Sequence, residues 1–164
     1  AVLTGYAAIS PSLGSVISKD RNAPGRLFHQ TLNENMFWLS AVEGYHCLMP
    51  SLDMAQREYI EVNLFRVLAD DALNRHAKDF DIVHNHGIWS VAAAAISGYA
   101  LGDAALVEKA LYGLNGDSES GGFFAQLNQL FSPDGYYIEG PYYHRFALRP
   151  MLLLAEVLDR RQPE

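Results

Sequence analysis

From Thr31 to the C-terminus, apolar side chains recur every three or four residues, the spacing that places them on one face of an α-helix. This pattern predicts helices over residues 33–49, 54–78, 86–101, 103–114, 121–131 and 141–159. Asp103 is the expected N-cap of the fourth of these helices. No segment sustains the period of two that a half-buried β-strand requires. The predicted fold class is therefore all-α, built from helical hairpins that are joined by short loops.

Prolines and short polar residues mark several of the predicted helix ends. Pro50 ends the first helix, and either Ser51 or Asp53 is expected to cap the second. Pro141 fits the first position of the last helix, because the backbone N–H that proline lacks has no helical partner there. Pro150 predicts a kink within that last helix.

Residues 1–30 follow no comparable pattern. Pro11, Gly14, Pro24 and Gly25 interrupt short apolar patches, so this region is expected to be mostly loop around at most one weak helix. The chain opens without Met and without the charged and apolar regions of a signal peptide, and it stops soon after an apolar helix. We therefore expect it to be a piece of a longer protein.

The composition is that of a single packed domain over residues 1–164, with 49% hydrophobic and 19% charged residues. The lone cysteine, Cys47, excludes an intrachain disulfide and a cysteine-rich zinc module. A net charge of −7 without a basic patch argues against a nucleic-acid partner. No apolar run reaches the roughly 18–20 residues that cross a bilayer. Neither a metal nor a cofactor is predicted.

The first candidate site contains His84, Asn85 and His86, at the start of an alanine-rich helix that is expected to be buried. Backbone N–H groups converge at a helix start and favour an anion, so these side chains are placed to bind a carboxylate. The alternatives are that Asn85 is an N-cap and that one histidine is structural. A metal site is less well supported, because no Asp or Glu lies at an obvious ligand spacing.

The second candidate site is the segment 134–146, in which four tyrosines fall within eight positions. If the helix starts at Pro141, then Tyr142, Arg145 and Arg149 share one helix face. Nearby positive charge would stabilise phenolate and lower the pKa of the tyrosine, which suits acid-base chemistry near neutral pH. Alternatively, the rings pack in the core and place their hydroxyls at its rim.

A third candidate lies just before the helix that carries Trp38 and contains Gln30 and Asn33. Amides at this position either contact a ligand or cap the helix.

Taken together, the Asn85-His86-Gly87 motif and the later Gly140-Pro141-Tyr142-Tyr143 motif resemble the toroid domain of alginate lyases. The resemblance is strongest to the oligoalginate lyases of polysaccharide lyase family 17, and the heparinase II/III-like lyases are relatives. It covers roughly residues 28–158.

The resemblance implies helical hairpins that form part of an incomplete (α/α) toroid, with the C-terminal β-sheet domains of the full-length enzymes absent from this chain. It implies β-elimination of a uronate, in which Asn85 and His86 neutralise the carboxylate and Tyr142 transfers a proton. A second acid-base group would lie outside this chain. The partners would be alginate or another acidic saccharide and the remainder of the same enzyme, in the periplasm or outside the cell. The candidate substrate-binding residues are Gln30, Asn33, Tyr137, His144, Arg145 and Arg149.

Three other functions remain open at this point. One is a heparinase III-like lyase that acts on glycosaminoglycan. Another is a non-catalytic helical module that binds an acidic glycan or a protein. The third is a hydrolase, which needs two carboxylates, and Asp134 with Glu139 is the conceivable pair.

Overall fold

All regular secondary structure in the computed structural model is helical, over the described residues 1–14 and 23–161. The α-helices are α1 (Val2–Ile9), α2 (Thr31–Leu48), α3 (Met54–Ile60), α4 (Arg66–Asp70), α5 (Ala77–Phe80), α6 (Asn85–Leu101), α7 (Ala104–Tyr112), α8 (Gly122–Leu130) and α9 (Pro141–Asp159). Short 3₁₀ turns follow α1 and α2. The β-pairing within these residues is an isolated bridge between Phe131 and Tyr137. The all-α prediction is confirmed.

Helix α6 lies at the centre of the fold and packs against α2, α5, α7, α8 and α9. Its middle, residues 91–95, is fully buried and consists of one valine and four alanines. Small side chains let neighbouring helices approach closely on every side. Gly98 shows how tight this packing is, because a Cβ there would lie 2.7 Å from a methyl group of Val107 in α7. The site described below sits at the N-terminal end of this helix.

The predicted second helix is one helical run from Met54 to Arg75. Asp53 caps it through a capping box with Gln56, so Asp53 and not Ser51 is the N-cap. Two π-helical turns interrupt the run, Glu61–Phe65 and Asp71–Arg75.

Each of these π-helical turns opens with a carboxylate that binds another part of the chain. Glu61 accepts a hydrogen bond from the hydroxyl of Tyr45 in α2. Asp71 accepts two hydrogen bonds from Arg26, at 2.6 and 2.8 Å. The first residues of the two π-helical turns are therefore acidic side chains that bind Tyr45 and Arg26, which are distant in the sequence.

The segment that leads into α2 is held by buried polar contacts. Arg26 joins Asp71 and also donates to the carbonyl of Ser10, at 3.2 Å. The Glu34 carboxylate accepts the N–H of Leu27 at 2.6 Å, and burial raises the pKa of Glu34. Within residues 1–14 and 23–30, α1 is the single α-helix, as predicted, and residues 15–22 lie outside the described part.

The other predicted boundaries hold to within a few residues, with one correction. Pro141 is the first residue of α9, and the Asp103 carboxylate caps α7 by accepting the N–H of Leu106 at 3.1 Å. The segment between the predicted helices 54–78 and 86–101 instead contains the end of α5, and α6 starts at Asn85. Helix α9 continues through Pro150.

The close packing of α6 gives a first testable prediction. Ala93→Leu adds three carbon atoms to a fully buried position and should lower the free energy of unfolding by about 1–3 kcal/mol. The control, Ala104→Leu at the exposed start of α7, should change it by less than about 0.5 kcal/mol. Urea titration followed by circular dichroism measures both values, and equal losses would contradict the central position of α6.

Candidate active site

At the start of α6 and in the segment before it, polar side chains form hydrogen bonds with backbone N–H and carbonyl groups. His84 is the N-cap, since its Nδ1 accepts the N–H of His86 at 3.3 Å. The hypothesis that Asn85 is the N-cap is therefore wrong, because Asn85 is the first residue inside the helix. Gln126 of α8, fully buried, accepts the N–H of His84 at 3.1 Å and donates to the carbonyl of Ile82 at 2.7 Å. Gln126 thereby fixes the segment that leads into α6.

Position 87 must be glycine because the backbone at Ile82 and the side chain of Gln126 pack directly against it. A Cβ at position 87 would clash with the carbonyl oxygen of Ile82 and would lie 2.7 Å from Nε2 of Gln126. The glycine of the Asn-His-Gly motif therefore makes room for the backbone that positions His84 and Asn85.

A hydrogen bond between Asn85 and Glu139 joins the two candidate motifs, which lie 54 positions apart. The Asn85 side chain donates from Nδ2 to Oε2 of Glu139 at 2.6 Å, and Nε2 of His84 lies 3.5 Å from the other carboxylate oxygen. Asn85 is only 3% exposed. Sequence reasoning did not find a partner for Glu139, although its place between the tyrosine-rich loop and Pro141 put it within a candidate motif.

His86 is half-buried, and its ring centroid lies 5.0 Å from that of His84. Burial lowers the pKa of His86, the nearby His84 lowers it further, and the negative charge of Glu139 acts in the opposite direction. The lowered pKa favours the neutral imidazole at pH 7. A neutral imidazole offers one N–H donor and one acceptor, so it would bind an anion by hydrogen bonding rather than as a cation.

The loop that carries Glu139 is anchored to the core. Ile138 donates its N–H to the carbonyl of Leu130, and Gly140 donates to Tyr137, both at 2.9 Å. The ring of Tyr137 is fully buried, with the rings of Phe131 and His144 at 5.0 and 6.2 Å.

This burial changes the interpretation of Tyr137. Its hydroxyl is buried, and burial, followed by the charge of the neighbouring Glu139 carboxylate, raises its pKa. The fully buried ring of Tyr137 packs in the core, and its expected substrate contact stays a prediction. The half-buried His144 packs against the same ring and helps to hold the loop.

The first turns of α9 carry the exposed part of the site. Tyr142 is 68% exposed, and the Arg145 guanidinium lies over its ring, 5.1 Å from the centroid. Arg149 instead lies 5.9 Å from the ring centroid of Trp89 in α6 and 3.4 Å from the carboxylate of Glu43 in α2. Arg145 therefore stacks on the tyrosine as the helical spacing predicts, whereas Arg149 connects α9 to the two neighbouring helices.

Helices α6 and α9 face each other through Trp89 and Phe146, whose ring centroids are 5.1 Å apart. Trp89 follows His86 by three residues, and Phe146 follows Tyr142 by four, so each pair shares a helix face. The helical spacing therefore predicts that the histidine of one motif and the first tyrosine of the other lie towards the interface of these two helices, where the Tyr142 side chain is 68% exposed.

Gln30 and Asn33 lie at the start of α2. Gln30 is the extended N-cap residue, but its side chain makes no capping hydrogen bond. The Asn33 amide nitrogen lies 3.5 Å from Nε2 of His29. The first turn of α2 and the first half of α6 line a common small cavity, through Thr31 and Ser90.

Gln126 was also missed by sequence reasoning, although its spacing carries a signal. It falls at i+3 from Phe123 and four residues before Leu130, on the buried face of α8. A glutamine on an apolar helix face needs a hydrogen-bond partner, because burying an unpaired amide is costly.

The carboxylates of Asp134 and Glu139 have different partners. Asp134 accepts from the hydroxyl of Ser132, whereas Glu139 binds Asn85. The structure therefore gives no support to a paired hydrolytic site. In the described ranges, no group of three His, Cys, Asp or Glu side chains is arranged to hold a metal ion. Over the same residues, the helices are too short or too polar to cross a membrane.

Gly87 gives the second prediction. Gly87→Ala should lower the free energy of unfolding by about 1–3 kcal/mol, because the added methyl forces the segment at Ile82 away from α6. Gly44→Ala is the control: a Cβ there meets no atom within 4 Å, so the substitution should stabilise α2 by roughly 0.5–1 kcal/mol. Chemical denaturation measures both effects, and two changes of the same sign would contradict the clash.

Comparison with known proteins gives a consistent result. A family model described as alginate lyase matches residues 16–164. An exo-oligoalginate lyase of Saccharophagus degradans is 40% identical to the chain over 163 residues, and an alginate lyase of Stenotrophomonas maltophilia is 42% identical over 163 residues. Each comparison covers 99% of this chain but 22% of the relative, so the chain spans about a fifth of either curated protein. The chain belongs to the alginate lyase family.

Proposed function

We propose that this chain forms part of the active site of a polysaccharide lyase that cleaves alginate or its oligosaccharides by β-elimination. The observation that carries the proposal is the Asn85–Glu139 hydrogen bond, which joins the buried start of α6 to the loop that opens α9. Two sequence motifs of the family thereby meet at one place. The names of the two relatives, an exo-oligoalginate lyase and an alginate lyase, favour alginate over glycosaminoglycan.

The chemistry needs donors beside the uronate carboxylate. The proton at C5 is too weakly acidic while that carboxylate keeps its full negative charge. Asn85 and the neutral His86 would donate hydrogen bonds to the carboxylate oxygens and stabilise the enolate-like, dianionic intermediate that forms when the C5 proton leaves. Both groups are held in place before substrate arrives, Asn85 by Glu139 and His86 by its position in the first turn of α6.

Tyr142 would supply the mobile proton. Its exposed hydroxyl can reach a bound saccharide and pass a proton to the 4-O leaving oxygen as the glycosidic bond breaks. Arg145, stacked on the ring, adds a positive charge that favours an anionic substrate at this end of α9. This local charge matters more than the net charge of −7, because charges beyond about 8–10 Å are largely screened by salt.

We also propose that the chain is a segment of an (α/α) toroid, completed by the rest of a longer protein that works in the periplasm or outside the cell. The support is an open, mostly apolar groove of about 750 Å³ between α8 and α9. Leu127 and Leu152 line this groove and are 44% and 61% exposed. The relatives are about five times longer than this chain, which supplies ample protein to cover such a groove.

The groove gives a third prediction, measured on the longer protein. Leu152→Ser should lower its free energy of unfolding by about 1.5–3 kcal/mol, the contribution of a fully buried leucine. Leu48→Ser is the control, since Leu48 is 49% exposed at the end of α2 and does not line the groove. Similar losses of less than about 0.5 kcal/mol for both variants would show that the groove stays open to solvent.

Tyr142→Phe in the complete enzyme tests the proposed function. It keeps the ring but removes the atom that carries the proton, so kcat on alginate oligosaccharides should fall at least ~10²-fold with little change in stability. The ultraviolet absorbance of the unsaturated product measures the rate and distinguishes a lyase from a hydrolase or a binding module. A parallel assay with glycosaminoglycan distinguishes the two lyase classes.

Tyr143→Phe is the matched control. Its side chain points about 100° away from that of Tyr142 around the helix, so activity should be nearly normal. Equal losses in both variants would mean that the tyrosine pair acts through packing. Normal turnover of Tyr142→Phe would exclude the proton-transfer role.

A further inference from the structure

We propose that Glu139 is a positioning residue that fixes the orientation of the Asn85 amide, so that Asn85 presents an N–H donor to the substrate carboxylate. This inference rests on the lyase function proposed above. Glu139 touches neither of the reacting sugar atoms in this proposal. It acts through Asn85, whose amide could otherwise be held with either its oxygen or its nitrogen towards the substrate.

The geometry shows that both oxygens of Glu139 serve the start of α6. Oε2 accepts from Nδ2 of Asn85 at 2.6 Å. Oε1 lies 3.5 Å from Nε2 of His84. One carboxylate thus contacts the two residues that open the helix.

An asparagine amide has almost the same shape at its two ends but opposite chemistry. The oxygen only accepts hydrogen bonds, and the nitrogen carries two N–H donors. A carboxylate also only accepts, so Glu139 selects the orientation in which Nδ2 faces it. The second N–H on the same nitrogen is then left as a donor, which is the chemistry that a uronate carboxylate requires.

Glu139 is itself held firmly enough for this role. The neighbouring residues Ile138 and Gly140 donate backbone hydrogen bonds, and the adjacent loop is anchored by the fully buried ring of Tyr137. Asn85, at 3% exposure, has little room to move. The observations therefore favour a fixed carboxylate over a mobile one that merely occupies the substrate position until substrate displaces it.

A double-mutant cycle in the complete enzyme tests the proposal, with Glu139→Gln, Asn85→Ala and the double variant. Glutamine is close in shape to glutamate but can present either end to Asn85, so the amide is no longer fixed. Glu139→Gln should lower kcat by about 10–100-fold, the loss typical of residues that orient a functional group, with a smaller effect on KM. In the Asn85→Ala background, Glu139→Gln should lower kcat little further, because the amide that Glu139 orients is already absent.

Glu108→Gln provides the matched control, since Glu108 is exposed on α7 and belongs to no part of the site. It should leave kcat and KM unchanged. Independent losses that add in the double variant would overturn the proposal. An increase in kcat/KM for Glu139→Gln would also overturn it, because it would show that the carboxylate competes with substrate for Asn85.

A second measurement does not depend on activity. NMR of protein labelled at histidine should show a lower pKa for His86 in Glu139→Gln than in the wild type. The groups that affect this pKa are His84, whose influence remains, and Glu139, whose negative charge raises it. NMR of the labelled Asn85 side chain should show one amide proton displaced in the wild type and not in the variant. Absence of both changes would overturn the proposed contact, whereas an inactive wild-type enzyme would overturn only the lyase function.

Discussion

The need to satisfy the buried start of α6 with hydrogen bonds determines much of this structure. The first backbone N–H groups of a helix have no partner within the helix, and an unpaired buried donor is costly. Here His84 caps the helix, Gln126 holds the backbone of its approach, and Glu139 binds the first side chain. Helix α8 and the loop before α9 therefore both contact the start of α6.

The negative charge of Glu139 beside a proposed carboxylate site has a physical consequence. A bound uronate would place a second negative charge near Glu139, which weakens ground-state binding unless cations offset the repulsion. Arg145, which lies over the ring of Tyr142, supplies one such cation on α9. Weak ground-state binding is compatible with fast turnover, because only interactions that strengthen in the transition state accelerate the chemical step. A well-oriented donor on Asn85 is an interaction of that kind, since the charge on the uronate oxygens grows as the C5 proton leaves.

Local signals in the sequence were sufficient for the helices and for part of the site. Asp53, Asp103 and Pro141 mark helix starts through rules that involve only neighbouring residues, and the structure follows all three. The partnership of Asn85 with Glu139 could not be predicted in this way, because it spans 54 positions and depends on how α6 and α9 pack. Tyr137 and Tyr142 illustrate the same limit. Both are tyrosines of one motif, yet one ring is fully buried and the other is 68% exposed, and only tertiary packing distinguishes them.

The candidate site therefore divides into a buried part and an exposed part, and the proposed β-elimination would account for this division. The groups that stabilise charge work best when they are fixed and desolvated before the reaction, as the Asn85 side chain is. The group that transfers a proton must instead reach a saccharide that enters from solvent, which requires an exposed hydroxyl such as that of Tyr142. The exposed Tyr142 ring has the stacked Arg145 guanidinium as its charged neighbour. In the proposed complete enzyme, the desolvation around Tyr142 that efficient proton transfer requires has to come from protein beyond this chain, which covers only 22% of its relatives.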